Sequence, residues 1–75
     1  MAIHPTAIIS PQAELDASVD IGPRVIIDGA VRIGGGTKIY ANACVTGHTT
    51  IGKNNEIHMG AVIGHEPQDF AFDRN

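Results

Sequence analysis

Counting from Ile3 in steps of six, every position is a branched aliphatic residue: Ile3, Ile9, Leu15, Ile21, Ile27, Ile33, Ile39, Val45, Ile51, Ile57 and Ile63. Ile, Leu and Val make up about a quarter of the chain, so chance would fill that register roughly once in ten million trials. A second slot lies four residues after each aliphatic and holds Ala7, Ala13, Val19, Val25, Val31, Thr37, Ala43, Thr49 and Ala61, with Asn55 as the polar misfit. Positions two apart in a strand share a face, so the small residue and the next aliphatic point inward while the residue between them points out. Each hexad therefore reads as one short strand and a turn.

Turn chemistry agrees. Gly22, Gly34, Gly52 and Gly64 directly follow an aliphatic, and Gly29, Gly35, Gly36 and Gly47 crowd the next two positions. Glycine supplies the positive φ of a sharp corner, and Asp16, Asp28, Asn42, Asn54 and Asn55 in the same segments tolerate a left-handed backbone better than most residues. Strands this short, turning alike every time, satisfy their backbones by stacking on the next circuit as parallel ladders about 4.8 Å apart. The expected fold is a β-solenoid.

This placement of glycine and aliphatic residues resembles the left-handed parallel β-helix of the hexapeptide acyltransferases, in which three hexads close one triangular coil. The resemblance implies an all-β fold of about three and a half coils over residues 1–66, followed by a loop over 67–75 where the repeat breaks. The left hand comes from the resemblance alone, because the general rule for parallel crossovers gives the opposite hand.

If three hexads make a coil, outward residues eighteen apart lie above one another, and the prism has three readable faces. One carries Ile8, Ile26, Cys44 and Val62; the second Glu14, Arg32, Thr50 and Gln68; the third Asp20, Lys38 and Glu56. The polar faces alternate charge from coil to coil, as solvated faces do. The apolar column is different, since each of its side chains would gain roughly 1.5 to 3 kcal/mol on full burial. It is the expected subunit interface. A core of 75 residues is marginal alone, and the resemblance implies a cyclic homotrimer, which sequence does not separate from a dimer.

Composition removes several classes. A net charge of −3 and the lack of a basic run argue against a nucleic-acid partner or an anionic membrane surface. No apolar stretch approaches spanning length and the N-terminus lacks a secretory profile, so membrane insertion is not expected and the cytoplasm is the default compartment. Cys44, the single cysteine, excludes an internal disulfide and fits a reducing environment.

Acid–base candidates near neutral pH are His4, His48, His58 and His65, all in corner segments. His4, Tyr40 and His58 share one corner column; His48 and His65 share another. Both columns flank the apolar face, where a partner subunit would exclude water from a general base, although corner histidines are also common as solvent-exposed bystanders. No His pair has the spacing of the zinc ligands in hexapeptide-repeat carbonic anhydrases, so neither a metal nor another cofactor is expected.

Thr46-Gly47-His48-Thr49-Thr50-Ile51-Gly52-Lys53-Asn54-Asn55-Glu56-Ile57, with Ile63-Gly64-His65-Glu66-Pro67-Gln68-Asp69 after it, is the most specific stretch. It resembles the N-terminal part of the UDP-N-acetylglucosamine O-acyltransferases of lipid A synthesis. The resemblance implies that Gln68 and Asp69 contact the glucosamine part of the sugar nucleotide, and a carboxylate at a loop mouth suits a hydroxyl or amide donor. It also implies acyl carrier protein as a partner. Ala71 stands where that family often has a lysine, so the resemblance implies the loss of one sugar contact. No position matches the family's catalytic histidine, which lies downstream, and the chain alone is expected to be inactive. A rival reading from another class is a non-catalytic solenoid that self-associates through its apolar face.

Overall fold

The computed structural model describes residues 2–64, which form eleven strands and no helix. The strands are β1 (Ala2–Ile3), β2 (Ile8–Ile9), β3 (Glu14–Leu15), β4 (Asp20–Ile21), β5 (Ile26–Asp28), β6 (Arg32–Ile33), β7 (Lys38–Ile39), β8 (Cys44–Thr46), β9 (Thr50–Ile51), β10 (Glu56–Ile57) and β11 (Val62–Ile63). Each pairs in parallel with the strand three places along, giving three sheets: β1-β4-β7-β10, β2-β5-β8-β11 and β3-β6-β9. Ile8 lies opposite Ile26, Glu14 opposite Arg32 and Asp20 opposite Lys38, so three hexads close one coil. The parallel β-helix expected from the hexads is the fold observed.

The core is the axis of the prism. Val19, Ile21, Val25, Ile27, Val31, Ile33, Ile39, Ala43, Val45, Ile51 and Ile57 are buried, and all come from the two inward slots of the repeat. Burial is deepest in the middle coils and fades towards Ile3 and Ile63, because a residue near an end has a neighbouring coil on one side. The strands owe their pairing to corner geometry as much as to side chains. Backbone hydrogen bonds such as Ile26 N–H to Ala43 C=O (3.0 Å) and Gly34 N–H to Ile51 C=O (2.8 Å) run from coil to coil along the whole axis.

The corners divide into two kinds, and here the sequence expectation needs correction. Positive φ occurs at Gly29, Gly36, Gly47, Gly60 and Gly64, and at three non-glycine residues, Arg24, Asn42 and Asn54. Arg24 had no place among the expected left-handed residues, whereas Asp16, Asp28 and Asn55 are not left-handed. Gly22, Gly34, Gly35 and Gly52 also keep negative φ or extended backbone. Gly34 is required for space: a Cβ there would lie 2.8 Å from the carbonyl carbon of Gly52 in the coil above. Backbone freedom and close approach are separate reasons for glycine, and the hexad spacing alone does not tell them apart.

The buried polar core residue is Thr37, in the small-residue slot. Its hydroxyl donates to Gly52 C=O (2.9 Å) and accepts the Asn55 N–H (3.2 Å), which joins the core to the corner of the next coil.

Candidate functional site

Outward residues align as the three-hexad coil requires. Ile8, Ile26, Cys44 and Val62 are successive register partners on sheet β2-β5-β8-β11. Ile8 is 65% exposed, Ile26 43% and Val62 62%, with Cys44 half-buried between them. Four apolar side chains thus form one continuous exposed stripe, backed by inward partners that are already packed. Sheet β3-β6-β9 bears Glu14, Arg32 and Thr50, with an ion pair of 3.1 Å between Arg32 Nε and Glu14 Oε1. Both of those side chains are 68% exposed, so the pair contributes little to stability. Asp20, Lys38 and Glu56 are in register on the remaining sheet.

Beside the charged sheet runs a shallow groove of about 580 Å³ that includes Asp16, Arg32, Gly34, Thr50 and Lys53. Asp16 holds its corner together: its Oδ1 accepts the Ser18 N–H (3.0 Å) and the Ser18 hydroxyl (2.9 Å), and Ser18 Oγ in turn accepts the Gly36 N–H (2.9 Å). The Ser18 backbone and side-chain hydrogen bonds, with help from the Lys53 charge, hold the Asp16 carboxyl below the usual carboxylate range. Glu14 and Asp16 balance Arg32 and Lys53 along the groove, and Leu15, Ile33 and Ile51 also line it.

Histidines divide between separate corners. His4 Nδ1 accepts the Thr6 N–H (3.2 Å) and lies 2.9 Å from the Thr6 hydroxyl. That hydroxyl oxygen also accepts the Arg24 N–H (2.9 Å) from the next coil. An Nδ1 that accepts a backbone N–H carries its ring proton on Nε2, so His4 serves as a turn cap. His58 lies in near-parallel stacking with Tyr40, ring centroids 6.5 Å apart and planes inclined by 16°. His48 is exposed. Among the described residues no three His, Cys, Asp or Glu side chains gather as metal ligands. His65, Gln68, Asp69 and the expected boundary between 66 and 67 lie outside the described residues.

One feature of this corner went unread in the sequence. Gly22, Pro23, Tyr40, Ala41, His58 and Met59 line an open cleft of about 520 Å³. The spacing of Tyr40 and His58 by one coil signalled a shared column, but the cleft also needs Pro23 below and Met59 above. One residue further along the same turns, Arg24 Nε donates to Asn42 Oδ1 (2.9 Å), again across one coil. The corner opens beside β5 and β8, so its apolar wall lies next to the exposed stripe of that sheet.

Residues 30–65 match the family described as bacterial transferase hexapeptide (six repeats), in keeping with the left-handed form of the β-helix. A protein of Psychrobacter sp. (strain PRwf-1) named acyl-(acyl-carrier-protein)–UDP-N-acetylglucosamine O-acyltransferase is 49% identical over 70 residues, covering 93% of this chain and 27% of that protein. Proteins of the same name from Syntrophobacter fumaroxidans and Chlamydia caviae are 46% and 43% identical, covering 96% and 93% of this chain and 28% and 25% of their own lengths. The chain spans about a quarter of the length of these relatives. Over residues 30–65 the chain is similar to the hexapeptide-repeat transferases, and across nearly its whole length it is similar to about a quarter of the length of the acyl carrier protein–UDP-N-acetylglucosamine O-acyltransferases.

Proposed function

We propose that the chain works as the N-terminal β-helix segment of a UDP-N-acetylglucosamine O-acyltransferase, in the cytoplasm. In this reading the complete enzyme transfers an acyl group from acyl carrier protein to a hydroxyl of the sugar nucleotide. The segment contributes a rigid prism and the Gln68-Asp69 pair, while the general base comes from elsewhere in the enzyme. The observation that carries the reading is the similarity over nearly the whole chain to proteins of that name. The coil stack supports it physically, since a ladder of backbone hydrogen bonds gives a following loop a fixed base.

Asp69 is the residue on which the acceptor assignment turns. Its carboxylate accepts hydrogen bonds from sugar hydroxyl or amide donors, and Gln68 offers both a donor and an acceptor beside it. The chain should bind UDP-N-acetylglucosamine weakly and saturably, as followed by calorimetry or by NMR of labelled protein, and Asp69→Ala should weaken that binding about tenfold or more. Saturable binding that ignores Asp69→Ala would remove the acceptor-site assignment. Total absence of binding would leave the self-associating solenoid as the better account, a reading favoured by the exposed stripe of Ile8, Ile26, Cys44 and Val62. Under either reading we assign that stripe to contact between copies of the chain, with a cyclic trimer as the expected form.

A further inference from the structure

The Pro23, Tyr40, His58 and Met59 corner has properties that the acyltransferase reading does not use. Its wall is apolar and aromatic: Tyr40 is 39% exposed and Met59 is 71% exposed, both turned to the cleft instead of the core. The turn that carries each of these residues is tied to the next, through Asn42 N–H to Pro23 C=O (3.0 Å) and Gly60 N–H to Ala41 C=O (3.0 Å). Three coils therefore present one rigid concave surface.

A cation is fixed beside it. Arg24 follows Pro23 directly and has a φ of 56°, a left-handed conformation that non-glycine residues seldom adopt. The equivalent position one coil on is Asn42 and two coils on is Gly60, the residue types such a turn prefers. Arg24 is the least suited of the three, and it is held in place from both sides. Thr6 Oγ1 accepts its N–H at 2.9 Å, and Asn42 Oδ1 accepts its Nε at 2.9 Å. With Nε engaged, the two terminal nitrogens of an exposed guanidinium present the remaining N–H groups as a fork. The adjoining sheet offers no excess cation, because Asp20 and Glu56 bracket Lys38 there.

We propose that this corner binds a small aryl anion, with the ring against Tyr40, His58 and Met59 and a carboxylate or sulfonate on the terminal N–H groups of Arg24. The chain carries a net charge of −3 and as a whole repels anions, so retention of the acidic group rests on this one guanidinium. The ring supplies the apolar contact, and a stacked pair of aromatic side chains suits a flat partner better than a branched one. Asn42 acts as a positioning residue that aims the fork.

The test is a fluorescence titration of the 75-residue chain with 8-anilinonaphthalene-1-sulfonate, and in parallel with the uncharged N-phenyl-1-naphthylamine. One saturable sulfonate site per chain is expected. Arg24→Gly keeps the backbone comfortable at positive φ and should weaken the sulfonate about tenfold, the loss of one charge-assisted partner, while leaving the neutral probe unchanged. Tyr40→Ala should weaken both probes, and Asn42→Ala should weaken the sulfonate by a smaller factor. The proposal is overturned if the unmodified chain shows no saturable sulfonate binding, or if Arg24→Gly affects the two probes alike. It is equally overturned if Ile26→Asp, on the flat sheet, abolishes the signal while Tyr40→Ala leaves it intact.

Discussion

Gly34→Ala tests whether close approach of the coils, and not backbone freedom, is what demands glycine at that corner. The added Cβ would lie 2.8 Å from Gly52 C, 2.9 Å from Gly52 O and 3.0 Å from Lys53 N, all backbone atoms that cannot rotate aside. Ordinary contact begins at 3.4 Å, so the corner has to open by about half an ångström, which stretches the 2.8 Å bond from Gly34 N–H to Ile51 C=O. Overpacking of this kind costs about 1 to 3 kcal/mol. The lower entropy of the unfolded alanine chain returns about 0.4 to 1 kcal/mol. The midpoints of these two ranges leave a net loss of about 1.3 kcal/mol, which corresponds to a fall in Tm of roughly 5 to 10 °C for a domain of this size. Urea denaturation followed by circular dichroism measures it directly. Gly60 provides the contrast, with a φ of 76° and no heavy atom within 4 Å of the position a Cβ would take. Gly60→Asn should lose less stability than Gly60→Ala, because Asn tolerates the left-handed region, whereas Gly34→Asn should be no better than Gly34→Ala. A Gly34→Ala variant as stable as the parent would refute the argument from space.

Two further outcomes follow from the surface. Because the folded Asp16 carboxyl titrates below its ordinary value of 3.8, its Ser18 contacts stabilise the fold at neutral pH and are lost as pH falls through the depressed value. Asp16→Asn should therefore narrow the difference in urea midpoint between neutral and strongly acidic solution; an unchanged difference would remove Asp16 from the acid response. Replacing Ile26 and Val62 together by Asp puts two carboxylates in the exposed stripe and should lower the mass measured by sedimentation equilibrium to that of a single chain, while an unchanged oligomer would show that association uses another face.

Much of the fold was legible because one physical variable, side-chain size and polarity, repeats with the coil. Ile21, Ile39 and Ile57 had to point the same way once the period was seen, and so did Ile8, Ile26, Cys44 and Val62. The corner conformations were harder to read, since Gly34 and Gly36 are neighbours in the same corner yet are glycine for different reasons. The difference depends on what stacks above each one, which is known only when the coils are in place. Arg24 carried a weak signal, its spacing by whole coils from Asn42 and Gly60, set against the poor left-handed tendency of arginine. The cleft was half legible: the shared column of Tyr40 and His58 followed from spacing, while the roles of Pro23 and Met59 depended on the curvature of the turns.

A stack of near-identical hexads has a hazard of its own. Sliding one coil over the next by six residues would keep every large aliphatic inside and every outward residue outside, so the size pattern by itself does not forbid a misthreaded prism. Thr37 does. A slip of one hexad in either direction would bring Val31 or Ala43 to the place now held by its hydroxyl, leaving Gly52 C=O and Asn55 N–H without the partner they have at 2.9 and 3.2 Å. The one fully buried polar side chain among the described residues thus acts as an alignment key for the thread, penalising the wrong stacking where hydrophobic burial would score the two alike.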